Sequence, residues 1–294
     1  MAIPTAPTAT TIVTEALTRK LNGGTPSAAE ITRATNYGLE KVKRDVMLLC
    51  KKWKPLMQTS YDITKDALSK YPLPSDCEAM ISVGIIYGDH TGTLTAKDAV
   101  AKTVTLAADE DVDQGTAESA LLLITSGTGK DQAKQIDDYS TSTKVATFDE
   151  YFATTPDIGD GYMVCTVHRD LESKPVRHTR VSDRLAEGEP FGYILFDDAT
   201  YGYVELIYTP DDVYGIEFIY FADLRRVDIT GSLYTTLLRR WAAVFEQGVY
   251  AWSLGEDDDR FEREDAKYWK MLKELRARDG YLQDESDLQR RVVE

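Results

Sequence analysis

Residues 124–164 read ITSGTGKDQAKQIDDYSTSTKVATFDEYFATTPDIGDGYMV, and this stretch decides the reading of the fold. Turn-forming residues gather at Ser126-Gly127-Thr128-Gly129. A strand-like run follows at Lys144-Val145-Ala146-Thr147-Phe148, and a Thr-Pro-Asp turn precedes Tyr162-Met163-Val164. The segment has the form of a structural β module and lacks catalytic residue types.

Outward from it, residues 91–167 share a composition rich in Thr, Asp, Gly and Ala, with short apolar runs at 103–106, 120–124 and 144–148. This pattern predicts an inserted β-rich domain. Strands are also expected at 57–63 and 79–87, on either side of the Pro72-x-Pro74 elbow. Runs at 193–196 and 203–208, separated by turn residues, predict a hairpin. A third aromatic and β-branched run at 213–221 is expected to join that hairpin in one antiparallel sheet.

The flanks read as helical. A short helix is expected over 12–21, ending at Asn22-Gly23-Gly24. Ser27 and Glu30 then have capping-box spacing, and a longer helix should follow from 28 to about 53. Its apolar positions Ile31, Ala34, Leu39, Val42, Val46 and Leu49 fall at three-, four- or five-residue steps. The basic residues Lys41, Lys43, Arg44, Lys51, Lys52 and Lys54 are read as an ordinary solvated helix face or as a surface for an acidic partner. Leu233, Leu237, Trp241, Val244, Phe245, Gly248 and Trp252 form a helical stripe. Gly255 breaks the chain before a second helical stretch over 257–278, giving a helical hairpin. The fold class expected is therefore α+β: a helical bundle of N-terminal helix and C-terminal hairpin, an antiparallel sheet, and an inserted β-rich domain. The expected divisions are 1–90, 91–167, 168–280 and a tail, 281–294.

The 294 residues carry 34 Lys and Arg against 49 Asp and Glu, a formal charge of -15. That balance argues against a protein that wraps DNA by neutralising phosphates. It serves solubility, or it keeps a sliding DNA strand from adhering. No apolar run is long enough to span a membrane and no signal peptide is evident, so synthesis in a cytoplasm is expected. Cys50, Cys77 and Cys165 lack metal-binding spacing, and His90, His168 and His178 suit neither a zinc site nor a triad.

Other chemistry is tested and set aside. Gly127-Thr128-Gly129-Lys130 lacks the first Gly and the final Ser or Thr of a phosphate loop, since those positions are Ile124 and Asp131. Asp109, Asp111 and Asp113 alternate like a calcium loop, yet Gln114 and Ala120 stand where it needs Gly and Glu. Glu256-Asp257-Asp258-Asp259 reads as a helix-start cap. Trp241, Phe245 and Trp252 read as helix core rather than a sugar platform. No catalytic, cofactor or metal residues are assigned, and no enzyme is expected.

The Ser126 to Gly129 turn, the Ile136-Asp137-Asp138-Tyr139 strand and the Pro156-Asp157-Ile158-Gly159-Asp160-Gly161-Tyr162 ending together resemble a β-rich module of tailed-bacteriophage virion proteins. Residues 28–49, the elbow Tyr71-Pro72-Leu73-Pro74-Ser75-Asp76, and residues 218–224 running into a helix at Leu233 resemble the frame of phage head-tail adaptor (connector) proteins. The resemblance implies a structural protein of the virion, forming a ring of about twelve copies between the portal ring and the tail or nozzle proteins. Genomic DNA would pass through its lumen without sequence-specific binding, and no membrane would be involved. It further implies that the terminal segment grips the portal through Tyr281, Leu282, Leu288, Val292 and Val293. A frayed terminus is the other reading of that tail. The alternative function is a tail or decoration module whose β insert binds carbohydrate or another virion protein.

Overall fold

The computed structural model describes residues 8–50, 56–64, 68–98, 102–118, 120–149, 151–175, 186–197, 202–226, 232–256 and 258–278. The fold is mixed α and β, with helices and largely antiparallel sheets, compatible with the α+β class. The described residues fall into two compact units. One is drawn from 1–58, 75–79 and 220–294, the other from 59–74 and 80–219.

The first unit is mainly helical. Helix α1 (Ala9–Lys20) starts where the Thr11 N–H donates to the Thr8 hydroxyl at 3.1 Å, and it buries Ile12, Val13, Ala16 and Leu17. Helix α2 (Ala28–Arg33) carries the expected capping box. The Glu30 N–H donates to Ser27 Oγ at 3.3 Å, and the Ser27 N–H to Glu30 Oε2 at 2.8 Å. A π-helical segment (Ala34–Gly38) then leads into α3 (Leu39–Cys50). Its origin lies in the apolar spacing. The five-residue step from Ala34 to Leu39 is out of phase with 3.6 residues per turn, and a π turn absorbs one extra residue. Ala34, Leu39, Val42 and Val46 thereby all reach the core.

Lys43 departs from the expected solvated face. It is 3% exposed, and its ammonium donates to Glu40 Oε1 at 2.8 Å. Lys41 pairs with Asp45 at 3.0 Å and lies 5.4 Å from the Tyr268 ring centroid. Two of the expected basic cluster are thus engaged within the unit, Arg44 is exposed, and Lys51, Lys52 and Lys54 lie outside the described residues. Among the described residues no helix is long and apolar enough to cross a membrane.

Helix α4 (Gln114–Ala117), a single turn, belongs to the second unit. The helical unit is completed by α5 (Ser232–Leu254), whose helical geometry is interrupted at Trp241, and α6 (Phe261–Arg278). Helix α5 packs against α1, α3 and α6. Phe245, Val249, Tyr268 and Leu272 are fully buried there, each side chain worth about 1.5–3 kcal/mol of transfer free energy. Arg19 bridges the interior, donating from Nη1 to Gln247 Oε1 and from Nη2 to Glu264 Oε2, both at 2.9 Å.

The second unit holds most of the sixteen strands found among the described residues, β1 (Met57–Ile63), β2 (Lys70–Pro72), β3 (Cys77–Tyr87), β4 (His90–Thr93), β5 (Ala96–Asp98), β6 (Thr103–Thr105), β7 (Leu121–Ile124), β8 (Gln132–Gln135), β9 (Asp138–Ser140), β10 (Val145–Thr147), β11 (Gly161–Cys165), β12 (Val167–Asp170), β13 (Glu172–Ser173), β14 (Gly192–Asp197), β15 (Gly202–Ile207) and β16 (Gly215–Ala222). They form four sheets, ordered β1-β16-β3-β12, β5-β6-β10-β9, β4-β11-β7-β8 and β13-β14-β15-β2. The hairpin β14–β15 forms as expected, but β16 does not extend it. That strand lies between β1 and β3, and the hairpin is flanked by β2 and, in parallel, by β13. Sequence proximity favoured the local partner, whereas the ladder is set by strands far away in the chain.

In the sheet β4-β11-β7-β8 the central strands β11 and β7 are buried on both faces while the edge strands β4 and β8 are partly exposed, and period-two alternation sorts the inner side chains. Leu122, Ile124, Tyr162 and Val164 point into one cluster with Leu94, Leu106, Ile136, Tyr139 and Phe148. Leu123, Met163 and Cys165 point into another with Ile63 and Ile86. This explains why residues 120–124 read as a continuous apolar run rather than an alternating one. The first cluster draws only on residues between 94 and 164. The ends of that segment are neighbours: His90 opposes Val164 across β4–β11, and Tyr87 opposes Val167 across β3–β12.

At the crossing of α3, α5 and α6, a Cβ on Gly248 would sit 2.5 Å from Val42 Cγ2 and 2.8 Å from Tyr268 Cε2. Gly248→Ala gains about 1 kcal/mol of helix propensity but incurs overpacking of about 1–3 kcal/mol. A net loss of up to about 2 kcal/mol is therefore expected in a denaturant titration, with an unchanged m-value.

Candidate functional site

The turn Ser126 to Gly129 looks like an anion cradle, and its anion comes from the chain itself. Asp160 is 5% exposed, and its Oδ2 accepts the Gly129 N–H at 3.0 Å and the Asp157 N–H at 2.8 Å. The Gly161 N–H donates to Ser126 Oγ at 3.0 Å, and the Thr125 N–H to the Gly161 carbonyl at 2.8 Å. Burial alone would raise the Asp160 pKa, but the N–H groups of Asp157, Gly129 and Thr128 outweigh it and hold the carboxyl below the usual carboxylate value. Gly127 has φ +87°, and a Cβ there would fall 1.8 Å from Asp160 Oδ1. The glycine is therefore required twice, by backbone conformation and by the approach of the carboxylate. A turn filled in this way has no room for a phosphate.

The acidic run 109–113 is used differently from a calcium loop. Asp113 caps α4, accepting the Thr116 N–H at 3.0 Å and its hydroxyl at 2.6 Å. Glu110, the residue between the alternating aspartates, turns inward and is 6% exposed. Its Oε2 accepts the Tyr162 hydroxyl at 2.6 Å, and its Oε1 accepts the His90 Nδ1–H at 2.9 Å. The Asp111 and Val112 N–H groups also donate to Oε1, at 3.1 and 3.3 Å. Asp111 Oδ1 stands 3.1 Å from the same His90 nitrogen. The ligand-type atoms of His90, Glu110 and Asp111 all lie within 4.8 Å of one another. Sequence reading missed this group because His90 is brought in by β4, twenty positions away, and because Glu110 is hidden among aspartates.

The other candidate residues serve packing or local polar contacts. His168 donates from or accepts at Nε2 with Glu217 at 2.8 Å, and His178 lies outside the described residues. Burial pushes the Cys165 thiol up to about 12, and burial together with Asp76 and Glu78 pushes Cys77 up to about 11. Neither is poised as a nucleophile at neutral pH. Asp258 accepts from the Arg260 side chain and N–H, which hold its carboxyl down to about 2, just before α6 begins. Phe245 is buried and Trp241 and Trp252 are half-buried, as expected of helix core. Tyr281, Leu282, Leu288, Val292 and Val293 lie outside the described residues. A concavity of about 990 Å³ in the β-rich unit is lined in part by Tyr87, Tyr214, Asp89, Glu189, Asp212 and Lys130. Tyr87 and Tyr214 meet edge to face there, 5.4 Å between centroids.

No protein-family model matches this chain, and no curated protein matches it either.

Asp160→Ala strands at least two buried N–H donors and should cost about 2–4 kcal/mol in chemical denaturation. Asp160→Asn supplies a pH test. Because the folded pKa is depressed, the carboxylate's contribution is fully present above the unfolded value, about 3.9, and is lost as pH falls through the folded value. The stability difference between wild type and Asp160→Asn should thus be constant near neutrality and shrink below about pH 4.

Proposed function

We propose that the protein is a non-enzymatic structural component of a tailed-phage virion, a head-tail adaptor that forms a ring between the portal and the tail or nozzle proteins. In this reading the helices of the first unit are the bundle that surrounds a DNA channel, and residues 91–167 are a β-rich domain inserted into the adaptor frame. The observation that carries it is the closure of residues 90–165. They start and finish on neighbouring strands and own a hydrophobic cluster built from their own side chains. Such a segment can be set into a frame whose remaining parts come from the two ends of the chain.

Charge supports the same reading. The helical unit has 22 Lys and Arg and 22 Asp and Glu, whereas the β-rich unit has 12 and 27. The helices proposed to face passing DNA thus lack the basic excess that would hold a strand in place. Head-to-tail contacts between identical subunits close when the rotation divides a full turn, and about twelve copies are the number the resemblance implies. The tail 281–294 would contact the portal through Tyr281, Leu282, Leu288, Val292 and Val293.

A second reading draws on the groove rimmed by Tyr87, Tyr214 and three carboxylates, a lining suited to a polyhydroxylated ligand. It makes the protein a tail or decoration module that binds carbohydrate.

Electron microscopy of the purified protein, alone and mixed with a tailed-phage portal ring, separates the two. Added ring density beneath the portal is expected for the adaptor. A protein that stays apart from the portal yet binds a glycan saturably would replace that reading with the second. Deletion of residues 281–294 should abolish portal association in a co-sedimentation assay, and undiminished association would remove the tail from the interface.

A further inference from the structure

The group formed by His90, Glu110 and Asp111 has the parts of a metal centre. One imidazole nitrogen and two carboxylate oxygens converge, with His90 Nδ1 at 2.9 Å from Glu110 Oε1 and 3.1 Å from Asp111 Oδ1. Ligand atoms around a tetrahedral zinc ion stand about 3.3–3.5 Å apart, given metal–ligand distances of about 2.0–2.2 Å. The two carboxylate oxygens would each move a few tenths of an ångström away from His90 Nδ1 to admit the ion, and the three ligand atoms already lie within 4.8 Å of one another.

The support behind Glu110 distinguishes this group from a chance surface ion pair. Its carboxylate is fixed by the Tyr162 hydroxyl on one oxygen and by two backbone N–H groups on the other. Tyr162 is itself held, its oxygen accepting the Ala107 N–H at 3.1 Å. Such donors orient a ligating carboxylate from outside the coordination sphere. A second observation points to the same place. The Tyr139 hydroxyl is buried without a hydrogen-bond partner, in a side chain 1% exposed, and the charge of Glu110 acts on it. Buried hydroxyls are rarely left so. On the outer side, Asp111 is 89% exposed and His90 28%, which leaves coordination positions open to water.

We infer that His90, Glu110 and Asp111 form a structural binding site for a divalent transition-metal cation of the zinc class, which ties the loop before α4 to β4. Calcium fits poorly, since it seeks six to eight oxygen ligands and this set offers a nitrogen and two carboxylates. The consequence of the site is a β-rich unit whose stability depends on available metal.

Tag-free full-length protein, stripped with chelator, should be titrated with ZnCl2 by calorimetry and melted with and without it. The expected result is one saturable Zn2+ per chain and a raised Tm, with CaCl2 at equal concentration giving no shift. Asp111→Asn, at an exposed position, should fold normally and weaken Zn2+ binding at least about tenfold, as should His90→Ala. Tyr162→Phe keeps all three ligands, and its loss of about 10- to 100-fold in affinity would report the orienting donor. Absence of saturable Zn2+ binding to wild type would overturn the site. So would unchanged affinity in Asp111→Asn and His90→Ala, because the ion would then sit elsewhere.

Discussion

The carboxylate of Asp160, seated among the N–H groups of Asp157, Thr128 and Gly129, is the constraint on which the β-rich unit turns. It joins the turn that follows β7 to the turn that precedes β11, so it fixes where those two strands meet. Their register places Tyr162 opposite Ile124 and Val164 opposite Leu122. A one-residue slip would exchange the two faces of β11. Tyr162 and Val164 would leave the cluster they share with Phe148 and Tyr139, and the Tyr162 hydroxyl would lose Glu110. One buried charge, stabilised by backbone donors rather than by a cation, thus sets the alignment of two strands buried on both faces.

Much of this was legible as pattern. The turns at 126–129 and 156–160, the strands near 57–63, 121–124, 145–147 and 161–165, and the capping box at Ser27 all follow from local chemistry, which a linear reading captures. The five-residue step between Ala34 and Leu39 was visible too, and it corresponds to the π-helical segment. What escaped depends on distant partners. Lys43 sits in a basic run, yet its turn of the helix faces inward and Glu40 neutralises it. The strand β16 follows a hairpin but pairs with β1 and β3. Asp160 was read only as part of a turn motif, because nothing in PDIGDGY states that its carboxylate will be buried. Glu110 and His90 come together only after β4 and β11 pair, so their proximity has no local signal.

The division of charge bears on how such a chain could act as a scaffold. The helical unit balances its acids and bases in number, and some of them pair within it, as Arg19 does with Glu264 and Lys41 with Asp45. The β-rich unit carries the whole net charge of -15. Buried acids of this unit such as Glu110 and Asp160 serve its architecture, Glu205 is buried as well, and many other acids are at its surface. A surface of that sign favours basic partners and keeps identical units apart unless geometry directs them together. In the adaptor reading, specificity of assembly would then rest with the helices and the tail rather than with the β-rich unit.

The neighbouring ends of residues 90–165 also bear on how the chain reaches its fold. The β3–β12 ladder joins Tyr87 to Val167, 80 positions apart in sequence. Bringing such distant residues together from an open chain carries a loop-closure cost and slows folding. Once residues 90–165 have collapsed around Leu106, Ile136, Phe148 and Tyr162, β4 and β11 already hold those ends side by side. The remaining gap is then a few residues on each strand. The fold thereby favours an order of events in which the inner segment closes first and the β3–β12 ladder zips onto it, turning that long-range pairing into a local one.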